Sequence, residues 1–337
     1  MLKVSFIGFG NSVRNYHLPY LDLNKNISVI SAFRRKEDRI MDREIENFYP
    51  DILFSENLDD LLDNKEIDLI VICTHVDSHA FYAKLALQKG KNVLIEKPFA
   101  SSIHEAEEIF KIAKEKGLLA IANQNRRFDG DFLTLKKVIE SGKLGKLVEL
   151  ESRYDYFKPN ASKPEFDRLY GLAVHQIDQI VSLFGRPKKI HPDVRSIYYP
   201  TLSDDYIDID LHYENFKASV KCSIFVKNKT PKFVLYGDKG CFIKFSSGHQ
   251  KKVFNERNMI TIEQEDEENW GEISYLDDFG IEKKEKIPSE LTDYSLLYEG
   301  IMNAINKGYS KPIKDEEILT VMGILEESLE TAKTGAL

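Results

Sequence analysis

Leu69, Ile70, Val71, Ile72 and Cys73 form an unbroken apolar run. A strand with one face in water alternates apolar and polar residues, so this run reads as a strand covered on both faces. The same arrangement recurs on either side. Strands are predicted at 4–7, 27–33 and 52–54, followed by helical stretches at 13–23, 36–48 and 58–63. After the run come a helix at 77–89 stopped by Gly90, a strand at 93–95, a helix ending at 116 and a strand at 118–122. Glu105 follows Ser102 by three residues, the spacing of a capping box at the start of that second helix. Strands alternating with helices require a parallel sheet with helices packed on its faces.

The pattern changes near residue 123. A helix is expected at 132–141, a turn framed by Gly142 and Gly145, a long strand at 147–157 and an apolar-striped helix at 172–184 ending at Gly185. Residues 188–262 read mostly as strands, at 207–213, 218–223, 233–236 and 241–245, with Gly237-Asp238-Lys239-Gly240 as a tight hairpin. Helices at 293–307 and 315–334 close the chain. The expectation is two domains: 1–122, an α/β doubly wound parallel sheet, and 123–337, an α+β domain with a large, mostly antiparallel open sheet.

Forty-seven basic against 55 acidic residues give a net charge of −8, which argues against a nucleic-acid partner. Apolar runs of about five residues fall far short of the roughly 20 that span a bilayer, so no membrane partner is expected. Met1-Leu2-Lys3 leads into the first strand without an export signal, and a cytoplasmic location is expected. Cys73, Cys222 and Cys241 are odd in number and widely spaced, which suits a reducing compartment and gives no metal spacing, so no metal is expected. The acidic run 263–268 reads as a solvated loop.

In a doubly wound sheet the carboxyl ends of the strands converge on one crevice, where a dinucleotide binds. Gly8-Phe9-Gly10-Asn11-Ser12-Val13 follows the first strand, and its two glycines allow a tight turn and close approach of backbone to a pyrophosphate. Val13 stands where the fingerprint wants Gly or Ala. Arg34-Arg35-Lys36 follows the second strand, where an NAD-selective site usually carries Asp or Glu for the ribose 2′-hydroxyl. A guanidinium can instead grip a 2′-phosphate, so NADP(H) is the preferred cofactor and NAD(H) the second. Glu96-Lys97-Pro98 leaves the strand at 93–95 and brings a lysine to the crevice, where hydride transfer needs a proton donor or acceptor.

His75 and His79 lie past the strand at 69–73, and a structural or capping role competes there with cofactor contact. Cys73 ends that strand, where a core thiol is the plain reading. Two adjacent arginines, Arg126 and Arg127, cannot point the same way: one should bind an internal acid and the other can meet substrate. His175 and Asp178 share a helix face at i and i+3, an arrangement that serves structure as readily as catalysis.

Together these segments resemble the glucose–fructose oxidoreductase / inositol dehydrogenase / MocA family over nearly the whole chain. The resemblance rests on Gly8 to Val13, Glu96-Lys97-Pro98, the run 125–133, and Tyr170 to Asp178 followed by Leu183-Phe184-Gly185-Arg186-Pro187. The run from Asn125 to Phe132 resembles a bacterial subgroup that includes scyllo-inositol dehydrogenases. The family implies an N-terminal Rossmann domain, a C-terminal domain whose open sheet mediates a homodimer or homotetramer, and a polyol or sugar substrate entering between them. It implies Lys97 hydrogen-bonding the reacting oxygen, a cis Lys97-Pro98 peptide, and His175 as acid/base converging with Lys97. It also implies cofactor contacts at Gly8, Phe9, Gly10, Asn11, Ser12, Arg34, Arg35, Cys73, Thr74, His75, His79, Glu96, Lys97 and Asn125, and substrate contacts at Lys97, Arg126, Tyr154, Tyr170 and His175. The family's Asp-x-Gly-x-His segment is Gly171-Leu172-Ala173-Val174-His175 here, so its acid is missing one turn before the histidine. The activity expected is hydride transfer between NAD(P)(H) and a secondary alcohol or ketone of a sugar or cyclitol. The alternative is a catalytically weak, cofactor-binding sensor or regulatory protein: Gly171 favours it, and Lys97 with His175 favours the enzyme.

Overall fold

The structure, a computed structural model, describes residues 1–158, 168–197, 204–245, 260 and 262–334. It comprises two compact units, the first containing Met1–Asn125 and the later segment Asp293–Leu319.

The first unit is built on β1 (Leu2–Ile7), β2 (Ile27–Phe33), β3 (Leu53–Ser55), β4 (Leu69–Ile72), β5 (Asn92–Ile95) and β6 (Ala120–Ala122). All pair in parallel in the order β3-β2-β1-β4-β5-β6, a doubly wound Rossmann sheet. All four residues of β4 are fully buried, which is why its sequence shows no alternation. The register sets Phe33, Ile7, Ile72, Ile95 and Ala122 level across the sheet. The residues that come next, Arg34, Gly8, Cys73, Glu96 and Asn123, therefore line up along one carboxyl edge.

The helices here are α1 (Leu18–Leu21), α2 (Lys36–Met41), α3 (Asp59–Leu62), α4 (His79–Gln88) and α5 (Ile103–Lys116). At α5 the Ser102 hydroxyl accepts from the Glu105 N–H at 3.2 Å, and the Glu105 carboxylate accepts from the Ser101 N–H at 3.0 Å. Two expected helices are broken. A single helix over 13–23 would hold Pro19 in its interior, where the ring clashes with the preceding turn. The chain instead makes a wide π-helical turn at Val13–His17 and restarts α1 with Pro19 in its first turn. The helix expected over 36–48 stops at Met41, and a 3-10 turn comes after it at Arg43–Phe48. The Arg34 guanidinium takes the Asp38 and Asp42 carbonyls at that break, both at 3.0 Å.

The second unit has α6 (Gly130–Glu140), β7 (Leu147–Asp155), a π-helical turn at Leu169–Ala173, α7 (Val174–Phe184), β8 (Lys189–Arg195), β9 (Tyr206–His212), β10 (Lys217–Ser223), β11 (Phe233–Gly237), β12 (Gly240–Lys244), β13 (Gly271–Leu276) and β14 (Glu282–Ile287). The strand order is β14-β13-β12-β11-β7-β10-β9-β8, antiparallel except at the β7–β10 pair. Leu150, Ile207, Ile209, Leu211, Ala218, Val220 and Cys222 are buried on one face. Alternate positions carry ion pairs, Lys221 with Asp208 at 2.6 Å and Lys217 with Glu149 at 3.0 Å. β13 and β14 lie beyond the stretch read as strands. β14, Glu-Lys-Lys-Glu-Lys-Ile, has no apolar alternation because it is the charged edge of the sheet. The acidic run 263–268 is mostly exposed, although Glu265 turns in to meet Lys244 at 2.6 Å. The chain ends in α8 (Ser295–Lys307), within the segment that returns to the first unit, and α9 (Asp315–Thr334).

Candidate cofactor and catalytic site

In the first unit a cleft of about 410 Å³ opens at the carboxyl edge of the sheet. Gly8, Phe9, Gly10, Arg14, Phe33, Arg34, Arg35, Cys73, Thr74 and His75 line it, together with Asp38, Met41, Asp42, Ser78 and Tyr82. Asn11, Ser12, His79, Glu96, Lys97 and Asn125 are not among the lining residues.

Gly8 is required by shape. Its φ of +88° lies in the left-handed region, and a Cβ there would sit 2.6 Å from the Cys73 carbonyl oxygen. This close approach of β1's end to β4's end makes the cradle that a pyrophosphate needs, so the residues present fit a dinucleotide. A Gly8→Ala chain should lose about 1–3 kcal/mol of stability from overpacking and bind NADPH more weakly. A denaturant melt and a fluorescence titration check both; an unchanged chain would contradict the cradle.

The two arginines of Arg34-Arg35 have different fates. Arg34 is 5% exposed, and its guanidinium meets Glu46 at 2.9 Å besides the two carbonyls that end α2. It shapes the cleft wall. Arg35 is exposed, and its fork holds Asp38 at 2.8 and 2.9 Å. Nearby, His75 is exposed and pairs with Asp77, whereas His79 is buried with its ring nitrogens 3.0 and 3.1 Å from the Pro98 and Thr74 carbonyls. His79 braces the chain on either side of the edge, and burial pushes its pKa down.

Behind the edge lies a buried polar cluster that no stretch of sequence reveals. The Glu96 carboxylate accepts from the Ser12 hydroxyl at 2.5 Å, His17 Nε2 at 2.8 Å, the Asn123 amide at 2.9 Å and the Lys97 N–H at 3.0 Å. His17 Nδ1 meets the Tyr298 hydroxyl of α8 at 2.5 Å. Burial alone would raise the Glu96 pKa; hydrogen bonding and charge from His17, with the Ser12 hydroxyl, hold it at about 2 instead. One carboxylate thus ties the end of the glycine turn to the start of the lysine turn, whose Lys97–Pro98 peptide is cis. Cys73, 3.6 Å from His17, has its thiol pKa pushed well up, first by burial and then by Glu96, and is a thiol rather than a nucleophile.

In the second unit, Arg127 takes the internal acid: its fork binds Asp178 at 2.8 and 2.6 Å. Arg126 donates to the Tyr154 hydroxyl at 2.9 Å. Gln179 donates to the Arg126 carbonyl at 2.7 Å, so successive residues of α7 pin the arginine segment. Lys232 stacks 4.8 Å from the Tyr154 ring and pairs with Asp131 at 2.8 Å. Burial works against its charge, yet Asp131, Tyr154 and Asp129 hold its pKa well above the lysine range. Tyr170 is half-buried in the wide turn before α7, and His175 is 5% exposed in the first turn of α7. The start of that turn is held by Asp204, whose carboxylate accepts from the backbone N–H groups of Arg168, at 2.9 Å, and Leu169. Burial lifts the Asp204 pKa to about 6 against the pull of those groups. Asp204→Ala would leave two buried N–H groups unpaired, about 1–3 kcal/mol. Hydrogen exchange should then quicken at 168–173, and unchanged protection there would contradict the assignment.

Residues 2–124 match an oxidoreductase family described as an NAD-binding Rossmann fold, and residues 132–243 match the GFO/IDH/MocA C-terminal domain. The chain belongs to the Gfo/Idh/MocA oxidoreductase family. It is 42% identical over 340 residues to the uncharacterized oxidoreductase YhhX of Escherichia coli (strain K12), covering 98% of this chain and 97% of that one. The crystal structure of yhhX superposes with a TM-score of 0.90 at 41% identity, over 98% of this chain and 97% of that one. An oxidoreductase from Bacillus cereus gives 0.91 at 34% identity, over 98% and 96%. The scyllo-inositol 2-dehydrogenase (NADP(+)) IolW of Bacillus subtilis (strain 168) is 27% identical over 348 residues, 98% of this chain and 94% of that protein. This protein is therefore an oxidoreductase with an NAD(P)-binding Rossmann unit. Among the described residues no helix is long and apolar enough to cross a membrane.

Proposed function

We propose that this protein is an NADP(H)-preferring dehydrogenase or reductase acting on a secondary alcohol or ketone of a cyclitol or sugar. The observation that carries the reading is the row of strand ends, which brings the glycine cradle, the Arg34-Arg35 segment and the Glu96-Lys97 turn to one edge of one sheet. Gly8 and Gly10 would admit the pyrophosphate, with Cys73, Thr74 and His75 along the same cleft and Arg35 at the ribose. When bound, the nicotinamide accepts or donates the hydride.

The chain's own residues manage the oxygen. Lys97 hydrogen-bonds it, and His175 takes the hydroxyl proton as a carbinol is oxidised and returns it on reduction. Arg126, Tyr154 and Tyr170 hold the neighbouring hydroxyls. The absence of an acid at Gly171 leaves Arg127 and Asp178 as the ionic frame around α7. The likeness to IolW supports a cyclitol and NADP(H). Three free cysteines suit a cytoplasmic setting, and the ion-paired face of the eight-stranded sheet would join copies into a homodimer or homotetramer, which light scattering would read as a mass of two or four chains.

The test is a panel of inositols, aldoses and ketoses offered with NADP⁺ or NADPH, monitored by nicotinamide absorbance. Turnover of an inositol or sugar is the expected result. Tight nucleotide binding with no turnover of any member would favour the sensor.

A further inference from the structure

The Arg35–Asp38 pair occupies the place where a dinucleotide's ribose is read. We propose that Asp38 sets this protein's choice between NADP(H) and NAD(H), by competing with a 2′-phosphate for the Arg35 fork and by offering its own carboxylate to a bare 2′-hydroxyl. This rests on the proposal that the cleft binds a nicotinamide dinucleotide.

Three neighbouring arginines have partners of their own. Arg34 is buried against Glu46 and two backbone carbonyls. Arg39 has its fork on Glu46, with Nε at 2.8 Å and Nη2 at 2.8 Å. Arg14 donates to Asn11 at 2.6 Å, beside the glycine turn rather than after β2. Arg35 is the exposed guanidinium after β2, with 64% of its side chain in solvent against 42% for Asp38. Both line the cleft.

Arg35 stands just before the first residue of α2 and Asp38 is that helix's third residue, so one short turn holds cation and anion in reach of the same ribose. The pair holds the Arg35 pKa up and the Asp38 pKa down, so both stay charged at neutral pH. A 2′-phosphate that binds the fork must displace the carboxylate and then sit beside it, two like charges a few ångströms apart. A ribose with a free 2′-hydroxyl meets no such repulsion and can donate to Asp38 as it would to the acidic residue of an NAD-selective site. The same two side chains thus accept both cofactors, and removing the anion should shift the balance.

Dissociation constants for NADPH and NADH, measured by nicotinamide fluorescence on the full chain, test this with Asp38→Asn and Arg35→Ala. Asp38→Asn is near-isosteric and half in solvent, so the fold is preserved. It should tighten NADPH about 10-fold and leave NADH the same or weaker, widening the ratio. Arg35→Ala should weaken NADPH by about 10-fold or more with little change for NADH. An NADPH-to-NADH ratio unmoved by Asp38→Asn, while Arg35→Ala shifts it, overturns the proposal and leaves the cofactor reading intact. Binding of neither nucleotide by the wild type overturns both.

Discussion

His175→Ala and Lys97→Ala should each slow hydride transfer by about 10²–10⁴-fold, the usual cost of losing a positioned acid/base group. Both chains should bind NADPH much as wild type does, because the proposed cradle is backbone at Gly8 and Gly10 and the proposed ribose contact is the fork of Arg35, and neither substitution removes these groups. A steady-state comparison on the best substrate of the panel, with nucleotide affinity measured in parallel, separates the two effects. The proposed acid/base role of His175 puts the expected loss on kcat. Retention of wild-type turnover by His175→Ala would remove it from the chemistry and leave it a buried residue of α7.

Glu96→Ala should be the most damaging single change to the fold of the first unit. It removes the common acceptor of Ser12, His17, Asn123 and the Lys97 N–H, of which His17 and Asn123 are buried. Removing one partner of such a buried cluster costs about 3–5 kcal/mol. The acid limb of the stability curve carries the same signature. Folding holds Glu96 at about 2 against an ordinary value of 4.5, so the unfolded chain takes up the proton first as pH falls. Its contribution is whole above pH 4.5 and is lost on the descent toward 2. Urea midpoints of wild type and Glu96→Gln across that range should converge at the acid end. Parallel curves would show that the carboxylate is not ionised in the fold.

Much of the cofactor edge is legible in the chain because buried parallel strands write themselves as short apolar runs. Leu69 to Ile72 and Val93 to Ile95 announce their ends, and the residues just past each end are the ones presented to a ligand. Arg34 and Arg35 show where the limit lies. As letters they are equivalent, and burial separates them: Arg34 is a buried strut and Arg35 is exposed in the cleft. The chain offers two arginines at 126 and 127 on the same terms, and the acid at Asp178 picks Arg127.

His17 is harder to find. It ends a wide turn that Pro19 forces, in a segment that reads as an ordinary helix, and its partner Tyr298 stands 281 positions away. No local pattern links them; only the return of Asp293–Leu319 to the first unit does. β14 is hidden for the opposite reason. An edge strand protected by charge carries none of the alternation by which strands are recognised. The run from Tyr170 to His175 is legible as a resemblance, whereas the buried clamp of Asp204 on its first turn comes from a residue more than 30 positions later.

The proposed reaction moves a hydride between a carbinol carbon and a nicotinamide. A polyol carrying deuterium on that carbon, incubated with wild-type protein and either NADP⁺ or NAD⁺, tests it. Deuterium on the reduced nicotinamide, absent over the same interval with His175→Ala, is the predicted result. No label on either NADPH or NADH with any inositol or sugar of the panel would contradict the account.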